Sequence, residues 1–326
     1  MGSVTTRVYM SGKGVVFNGP SILAVDSRAE DVIAIGHEAV EVIGKVPGYV
    51  VAVKPFKHGV ISELDIAEQM LKTLFKVVGV PRFHKPKLIL TVASTTTMVE
   101  RRAFREIGRR AGAGDVYLLD KSLAAALGTG IGFSEPFGSM LVDIGGGSTS
   151  AAILATGGVV TAKTTHTGGT DLDTAVQSYL RQEYGITVAD QTAEQIKLAI
   201  GTARPLAQEP RAEVVGRDAL TGTARTIVLS ATEVRHAWKE QLSNIVGTAV
   251  RCLAEAPPEL GQDVLVNGVC LLGGGAQLTG MKEVIEEAVS VPVRLTEHPS
   301  ESVIIGAGRF LEEFSSLKSL LLGASR

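Results

Sequence analysis

The sequence predicts an α/β protein built from two related halves, and three observations carry that expectation. Buried strand patterns alternate with amphipathic helix patterns along 326 residues, a length that allows two well-buried domains. Two triple-glycine stretches, Gly145-Gly146-Gly147 and Gly273-Gly274-Gly275, each follow a continuous apolar strand. Each half opens with glycine-punctuated strands and closes with helices. This is a loose duplication without a fixed-period repeat or low-complexity segment.

The first 55 residues read as short strands, "TTRVYM", "KGVVF", "SILAVD", "DVIAIG" and "YVVAVK", punctuated by Asn18-Gly19-Pro20. "SELDIAEQMLKTLFKVVG" (62–79) then sets Leu64, Ile66, Met70, Leu71 and Leu74 on one helical side. "KLILTV" (87–92) is a buried strand. Thr97 with Glu100 forms a capping-box pattern ahead of a basic amphipathic helix. "VYLL" is a further strand and "SLAAALGTG" a short small-residue helix. Strand, helix, strand, helix implies a largely parallel sheet covered on both faces.

The second half opens with three strands joined by glycine turns, "SMLVDIGGG", "SAAILATGG" and "VVTAKTTHT". A helix over 170–185 and another starting at Thr192 follow. "AEVVGRD" and "ARTIVLS" read as a hairpin, and Ser230 with Glu233 caps a long helix over 231–255. After Gly273-Gly274-Gly275 the pattern predicts a helix with Leu278, Met281, Val284 and Ile285 on one side. The tail from Ser315 reads as a leucine-rich helix. Phe310, Phe314, Leu317 and Leu321 form a stripe that packs back on the first half, because its polar face lacks the lysines of a membrane helix.

Composition narrows the function. Apolar residues are 45%, charged residues 20% and net charge is −2, so the chain reads as a globular protein and not as a generic nucleic-acid binder. The basic cluster "ERRAFREIGRR" reads as a solvated helix face. Cys252 and Cys270 lack metal-type spacing and suit a reduced, intracellular setting. No apolar run approaches the ~18 residues that span a bilayer.

The glycine turns carry the chemistry. Asp143 ends a strand, and the side-chain-free backbone of Gly145, Gly146 and Gly147 lets a ligand touch successive amides, an anion nest suited to phosphate. Ser148 and Thr149 add hydroxyls, and Asp143 can hold Mg2+ through water. From this stretch alone, a tight hairpin with a capping aspartate reads equally well. The second turn, Gly273-Gly274-Gly275-Ala276, lacks both the P-loop pattern and the dinucleotide fingerprint, which excludes those two nucleotide folds. Glu194 and Lys197 are helical neighbours able to bracket a ribose; a plain surface ion pair is the alternative.

Together these elements resemble the actin, sugar-kinase and chaperone-ATPase superfamily. "VDIGGGSTS" is similar to its second phosphate motif, "CLLGGGAQLTGM" to its adenosine motif and "DKSLAAALGTG" to its connecting helix. More narrowly, "KGVVFNGPSILAVD", "VAVKPFKHGVISELDIAEQML", "MVERRAFREIGRRAGAGDVYLLD" and "QTAEQIKLAIG" resemble the MreB family, the bacterial actins of rod-shaped cells. The resemblance covers nearly the whole chain.

It implies an actin-like fold, two related RNase H-like domains with four subdomains around a nucleotide cleft. Domain I would span 1–140, with a smaller subdomain near 19–61, domain II 141–310, and 311–326 would be a helix packed back on domain I. It implies ATP or GTP with Mg2+. Gly2, Ser3, Val4, Asp143, Gly145, Gly146, Gly147, Ser148 and Thr149 would lie at phosphate, with Asp143 reaching the metal through water. Glu194, Lys197, Gly273, Gly274, Gly275 and Ala276 would lie at adenosine. Head-to-tail double filaments beneath the cytoplasmic face of the membrane, organising wall-synthesis enzymes and cell shape, follow from the same resemblance. The alternatives are a non-hydrolysing homologue that co-assembles with another MreB-type protein and, third, a sugar or acetate kinase.

Three departures bear on activity. Family members begin with an apolar strand ending in Asp-Leu-Gly; here Met1 to Thr6 match only the hydroxylic turn, so either the start lies upstream or a central strand is lost. The family's acid before proline, which positions the attacking water, is matched by Lys121 and Ser122, with Asp120 as a displaced substitute; hydrolysis is expected to be weakened and ATP held. The apolar pair before Lys-Pro in the membrane loop is reduced to Phe83 beside His84, a weak anchor or a loop-core residue.

Overall fold

The computed structural model describes every residue except 30, 44, 46, 47, 82, 133, 135 and 324–326. The chain groups into two compact units. Unit 1 holds Met1–Ser139, Leu154–Ala162 and Glu301–Arg326, and unit 2 holds Met140–Ile153 and Lys163–Ser300.

Unit 1 begins with β1 (Thr5–Met10), β2 (Gly14–Pro20), β3 (Leu23–Asp26), β4 (Asp31–Ile35), α1 (Gly36–Val42), β5 (Val50–Val53), β6 (Phe56–Lys57) and β7 (Val60–Ile61). Short turns join β1 to β2, β3 to β4 and β6 to β7, and a short turn permits only antiparallel pairing, as observed; β5, which follows α1, also pairs antiparallel with β3. Next come α2 (Leu64–Val77), β8 (Lys87–Val92), α3 (Met98–Arg110), β9 (Asp115–Asp120) and α4 (Lys121–Thr129). Among the described residues of unit 1 the predicted largely parallel sheet reduces to one pair, β8 with β9, joined through the crossover helix α3. On α2, Met70, Leu71 and Leu74 are buried with Phe104 and Ile107 of α3, while Leu64 at the helix start is exposed. The Thr97–Glu100 capping box forms as read.

Unit 2 opens with β10 (Ser139–Ile144), β11 (Thr149–Ala155) and β12 (Gly158–Thr165), of which the stretch Leu154–Ala162 groups with unit 1, then α5 (Gly169–Tyr184), β13 (Ile186–Thr187) and α6 (Asp190–Ile200). The predicted hairpin is β14 (Arg211–Asp218) with β15 (Ala224–Ser230). The Ser230–Glu233 capping box starts α7 (Ala231–Ala237), but the expected single helix breaks at Trp238 before α8 (Lys239–Ala254). Trp238 is fully buried and its Nε1 donates to the Leu172 carbonyl at 2.8 Å, so packing of the indole overrides helix continuity. Then follow α9 (Pro258–Asn267), β16 (Val269–Leu272), a 3-10 turn over Gly274–Gln277, α10 (Met281–Val289) and β17 (Val293–Leu295). The main sheet has the order β12-β11-β10-β16-β17, with β10, β16 and β17 parallel.

The chain closes in unit 1 with α11 (Ser302–Glu312) and α12 (Phe314–Leu317), followed by a 3-10 turn, not the single terminal helix expected. The return to unit 1 comes at Glu301 rather than at 311. The reason is contact between backbones. A Cβ on Gly128 of α4 would lie 1.8 Å from the Ser302 carbonyl oxygen, and one on Gly306 would lie 1.7 Å from that of Ala124. Phe310 of α11 is fully buried; beyond α11, Leu321 bridges Leu119, and the Leu322 N–H donates to the Leu118 carbonyl at 2.9 Å.

Candidate functional site

In unit 2 the two glycine turns emerge side by side. Asp143 of β10 is in register with Leu272 of β16, so both parallel strands end at the same edge and both turns begin there. Gly273 has φ +91°, and a Cβ on it would lie 2.4 Å from Asp143 Oδ1 and 2.3 Å from the Ile144 carbonyl oxygen. Only glycine satisfies both the left-handed backbone and the approach to the carboxylate. Gly275 is set against Ile144 in the same way, with a Cβ position 2.4 Å from its Cγ2 atom. The buried Ala276 sits in the 3-10 turn. The predicted helix starts only at Met281, which leaves Leu278 outside it, because Gly280 in the left-handed region separates turn from helix.

Behind the first turn stands the N-terminus of α5. The Gly145 N–H closes the turn on the Ser148 carbonyl at 2.9 Å. The Gly145 carbonyl accepts from the Gly169 N–H at 3.0 Å. The Gly146 carbonyl accepts from the Thr170 N–H at 2.7 Å and from Thr170 Oγ1 at 2.9 Å. These bonds draw the carbonyls of the turn toward α5. The peptide is planar and trans, so the N–H following each of those carbonyls points the opposite way. Gly168 makes this possible, since a Cβ there would lie 2.6 Å from the Gly145 oxygen. Thr149 is buried and its Oγ1 donates to the Thr167 carbonyl at 2.9 Å; Ser148 is half-buried.

Glu194 and Lys197 on α6 do not pair with each other. Glu194 is exposed, whereas Lys197 Nζ donates to Asp173 Oδ2 at 2.8 Å and to the Gly169 carbonyl at 3.1 Å. Burial pushes the Asp173 carboxyl up, an effect opposed by the Lys197 contact, and Asp173 Oδ1 is buried without a hydrogen-bond partner. Sequence reasoning missed Gly168, Thr170 and Asp173. The available signal was "HTGGTDLD", a further glycine pair at a helix start.

Among the described residues no group of three or more His, Cys, Asp or Glu side chains could hold a metal. With Asp143 as one carboxylate beside a phosphate-type turn, this donor set suits Mg2+ only as an ion that arrives with phosphate and meets Asp143 through water.

In unit 1, Gly2, Ser3 and Val4 form a turn closed by the Gly2 N–H on the Thr5 carbonyl at 3.0 Å. Ser3 Oγ accepts from the Gly59 N–H at 2.9 Å and keeps its own proton for donation. Lys121 is the first residue of α4. Asp120 is that helix's N-cap, 3% exposed, its Oδ1 accepting from the Ser122 N–H at 2.8 Å and from Ser94 Oγ at 2.9 Å. Burial pushes the Asp120 carboxyl up. A buried cap held this way is occupied with starting a helix. Phe83 is 97% exposed, which excludes the loop-core reading. No described helix is long and apolar enough to cross a membrane.

A five-stranded sheet with adjacent glycine turns at one edge, an α5 N-terminus behind the first turn, and a second α/β unit define an actin-fold protein. The chain belongs to the MreB/Mbl protein family, which matches residues 1–319. It is 37% identical over 318 residues to the cell shape-determining protein Mbl of Bacillus cereus, covering 97% of this chain and 96% of that one. It is 38% identical to MreB of Escherichia coli K12, covering 96% and 92%. Its structure is similar to that of MreB5 of Spiroplasma citri bound to AMPPNP, with TM-score 0.89 at 30% identity, covering 98% and 96%. A subunit of the MamK double helical filament shares the fold, with TM-score 0.78 at 20% identity, covering 95% and 96%.

Proposed function

We propose that the chain is a nucleotide-dependent filament protein of the cell-shape cytoskeleton. The observation that carries this reading is the meeting of the Gly145–Gly147 and Gly273–Gly275 turns beside Asp143 at one sheet edge. Amides of the first turn, with Ser148, bind the phosphates of ATP; Thr149, expected there from the sequence, is instead buried with its hydroxyl donated to the Thr167 carbonyl. Asp143 orients Mg2+ through water, and the metal offsets the phosphate charge. Gly273, Gly274, Gly275, Ala276 and Glu194 line the adenosine. The Gly2-Ser3-Val4 turn supplies further phosphate donors. MreB5 bound to AMPPNP and to ADP is a nucleotide-bound relative of the same fold.

Position 121 makes hydrolysis slow. An ammonium stands where MreB-like chains carry the acid that positions water, and Asp120 is engaged as a helix cap. The protomer therefore holds ATP, and filaments turn over slowly. A role in cell shape follows the names of the relatives, the cell shape-determining proteins Mbl and MreB; to it the proposal adds head-to-tail assembly beneath the membrane, alone or with another MreB-type protein, and guidance of wall synthesis. Exposed Phe83 gives each copy a weak membrane contact that gains strength only by repetition along a filament.

Sedimentation with ATP and Mg2+, run beside phosphate release, tests the reading. It expects nucleotide-dependent pelleting with little phosphate released. Absence of ATP binding in the full chain contradicts it. Pelleting only after addition of a second MreB-type protein selects the co-assembling alternative.

A further inference from the structure

A chain of hydrogen bonds runs from Lys197 through two peptide groups to the phosphate turn. The Lys197 ammonium donates to the Gly169 carbonyl at 3.1 Å. The same peptide's N–H, that of Thr170, donates to the Gly146 carbonyl at 2.7 Å. The N–H of that next peptide belongs to Gly147, within the turn. Lys197 is close to this backbone: a Cβ built on Gly169 would lie 3.5 Å from Nζ and 3.7 Å from Gly146 Cα. Asp173 holds the ammonium in place at 2.8 Å, and both side chains are about 15% exposed (15% and 14%), so the pair works in a low-dielectric setting.

We propose that Lys197 is a positioning residue that strengthens the phosphate turn from behind, with Asp173 fixing its ammonium against Gly169. This rests on the nucleotide reading above. A charge-assisted bond polarises the 169–170 peptide, which polarises the 146–147 peptide in turn, because bonds in a chain reinforce one another. The Gly147 N–H becomes a better donor to phosphate. Lys197 therefore acts on the phosphates through backbone. Asp173 keeps the lysine from turning out toward solvent, and removing that carboxylate weakens the relay without removing the charge.

Competition against a fluorescent ATP analogue, using the full chain, separates the roles. Lys197→Met is expected to weaken ATP and inorganic tripolyphosphate by the same factor, about tenfold, and to leave adenosine unchanged. Lys197→Arg restores part of the loss. Asp173→Asn weakens both phosphate ligands less, and in the Lys197→Met background adds nothing. That double variant removes both buried charges and so guards against misfolding. A ligand-free readout accompanies these: in nitrogen-15 spectra of the glycine-labelled protein, Lys197→Met moves the Gly147 amide resonance while that of the distant Gly261 stays. Weakened adenosine with unchanged tripolyphosphate overturns the relay in favour of a sugar contact. Equal loss for all three ligands, or an unmoved Gly147 resonance, overturns it in favour of a merely structural pair. Failure of the unaltered chain to bind ATP sinks the nucleotide reading instead.

Discussion

Gly273 lies so close to Asp143 that a single methyl group would collide with the carboxylate: the Cβ position is 2.4 Å from Oδ1. One residue belongs to the adenosine-type turn and the other to the phosphate-type turn. Their approach, set by the register of β10 with β16, joins two sequence motifs into one site.

Gly273→Ala is therefore expected to cost stability as well as binding. Left-handed strain and overlap with the Ile144 carbonyl and Asp143 combine to about 2–4 kcal/mol, with ATP affinity lost. Gly274→Ala is the control, since nothing lies within 4 Å of its Cβ position and its φ is not left-handed. It should stay within about 0.5 kcal/mol by urea denaturation.

Asp143→Asn keeps the shape and removes the charge. In the unaltered chain ATP affinity should rise about tenfold on adding Mg2+. In the variant, affinity in EDTA is unchanged and the Mg2+ gain disappears. Isothermal titration with and without the metal reads this directly.

Lys121→Glu should restore phosphate release, by about a hundredfold or more if the carboxylate reaches the attacking water, with ATP affinity little changed. The glutamate suffices without the family's proline. Ser122→Pro would remove the N–H that donates to Asp120 and so uncap α4. A release assay that finds no increase rejects this account of slow turnover.

Glu312 ties the end of α11 to the β1–β2 hairpin, accepting from the Gly12 N–H at 3.0 Å, Ser11 Oγ at 2.9 Å and Tyr9 OH at 3.2 Å. These bonds, the Gly12 amide first, hold its carboxyl below the usual glutamate range. A depressed folded-state value stabilises above the unfolded value and is lost as pH falls through the folded one. Glu312→Gln should accordingly melt lower than the unaltered chain near neutrality, and the two melting curves should converge on acidification below the ordinary glutamate range.

Much of this was legible in the sequence because it is local. Capping boxes at Thr97 and Ser230, the apolar faces of α2 and the two glycine turns depend on residues a few positions apart. What depends on distant partners was not. Lys197 reads as a neighbour of Glu194, yet its partner Asp173 comes from the preceding helix. The helix break at Trp238 reflects an indole that bonds the Leu172 carbonyl. The switch to unit 1 at Glu301 reflects glycines of α4 and α11 meeting backbone to backbone, which no periodicity reveals. In unit 1 the alternation of strand and helix yields a parallel sheet of one described pair, β8 with β9, because the strands before α2 pair antiparallel among themselves.

The most direct test follows glycine amides by nitrogen-15 spectroscopy during titration with ATP and Mg2+. Gly145, Gly146 and Gly147 should shift together with Gly273, Gly274 and Gly275 along one saturation curve, at one nucleotide per chain. Shifts confined to one turn, or two curves with different midpoints, would contradict a single nucleotide shared by both.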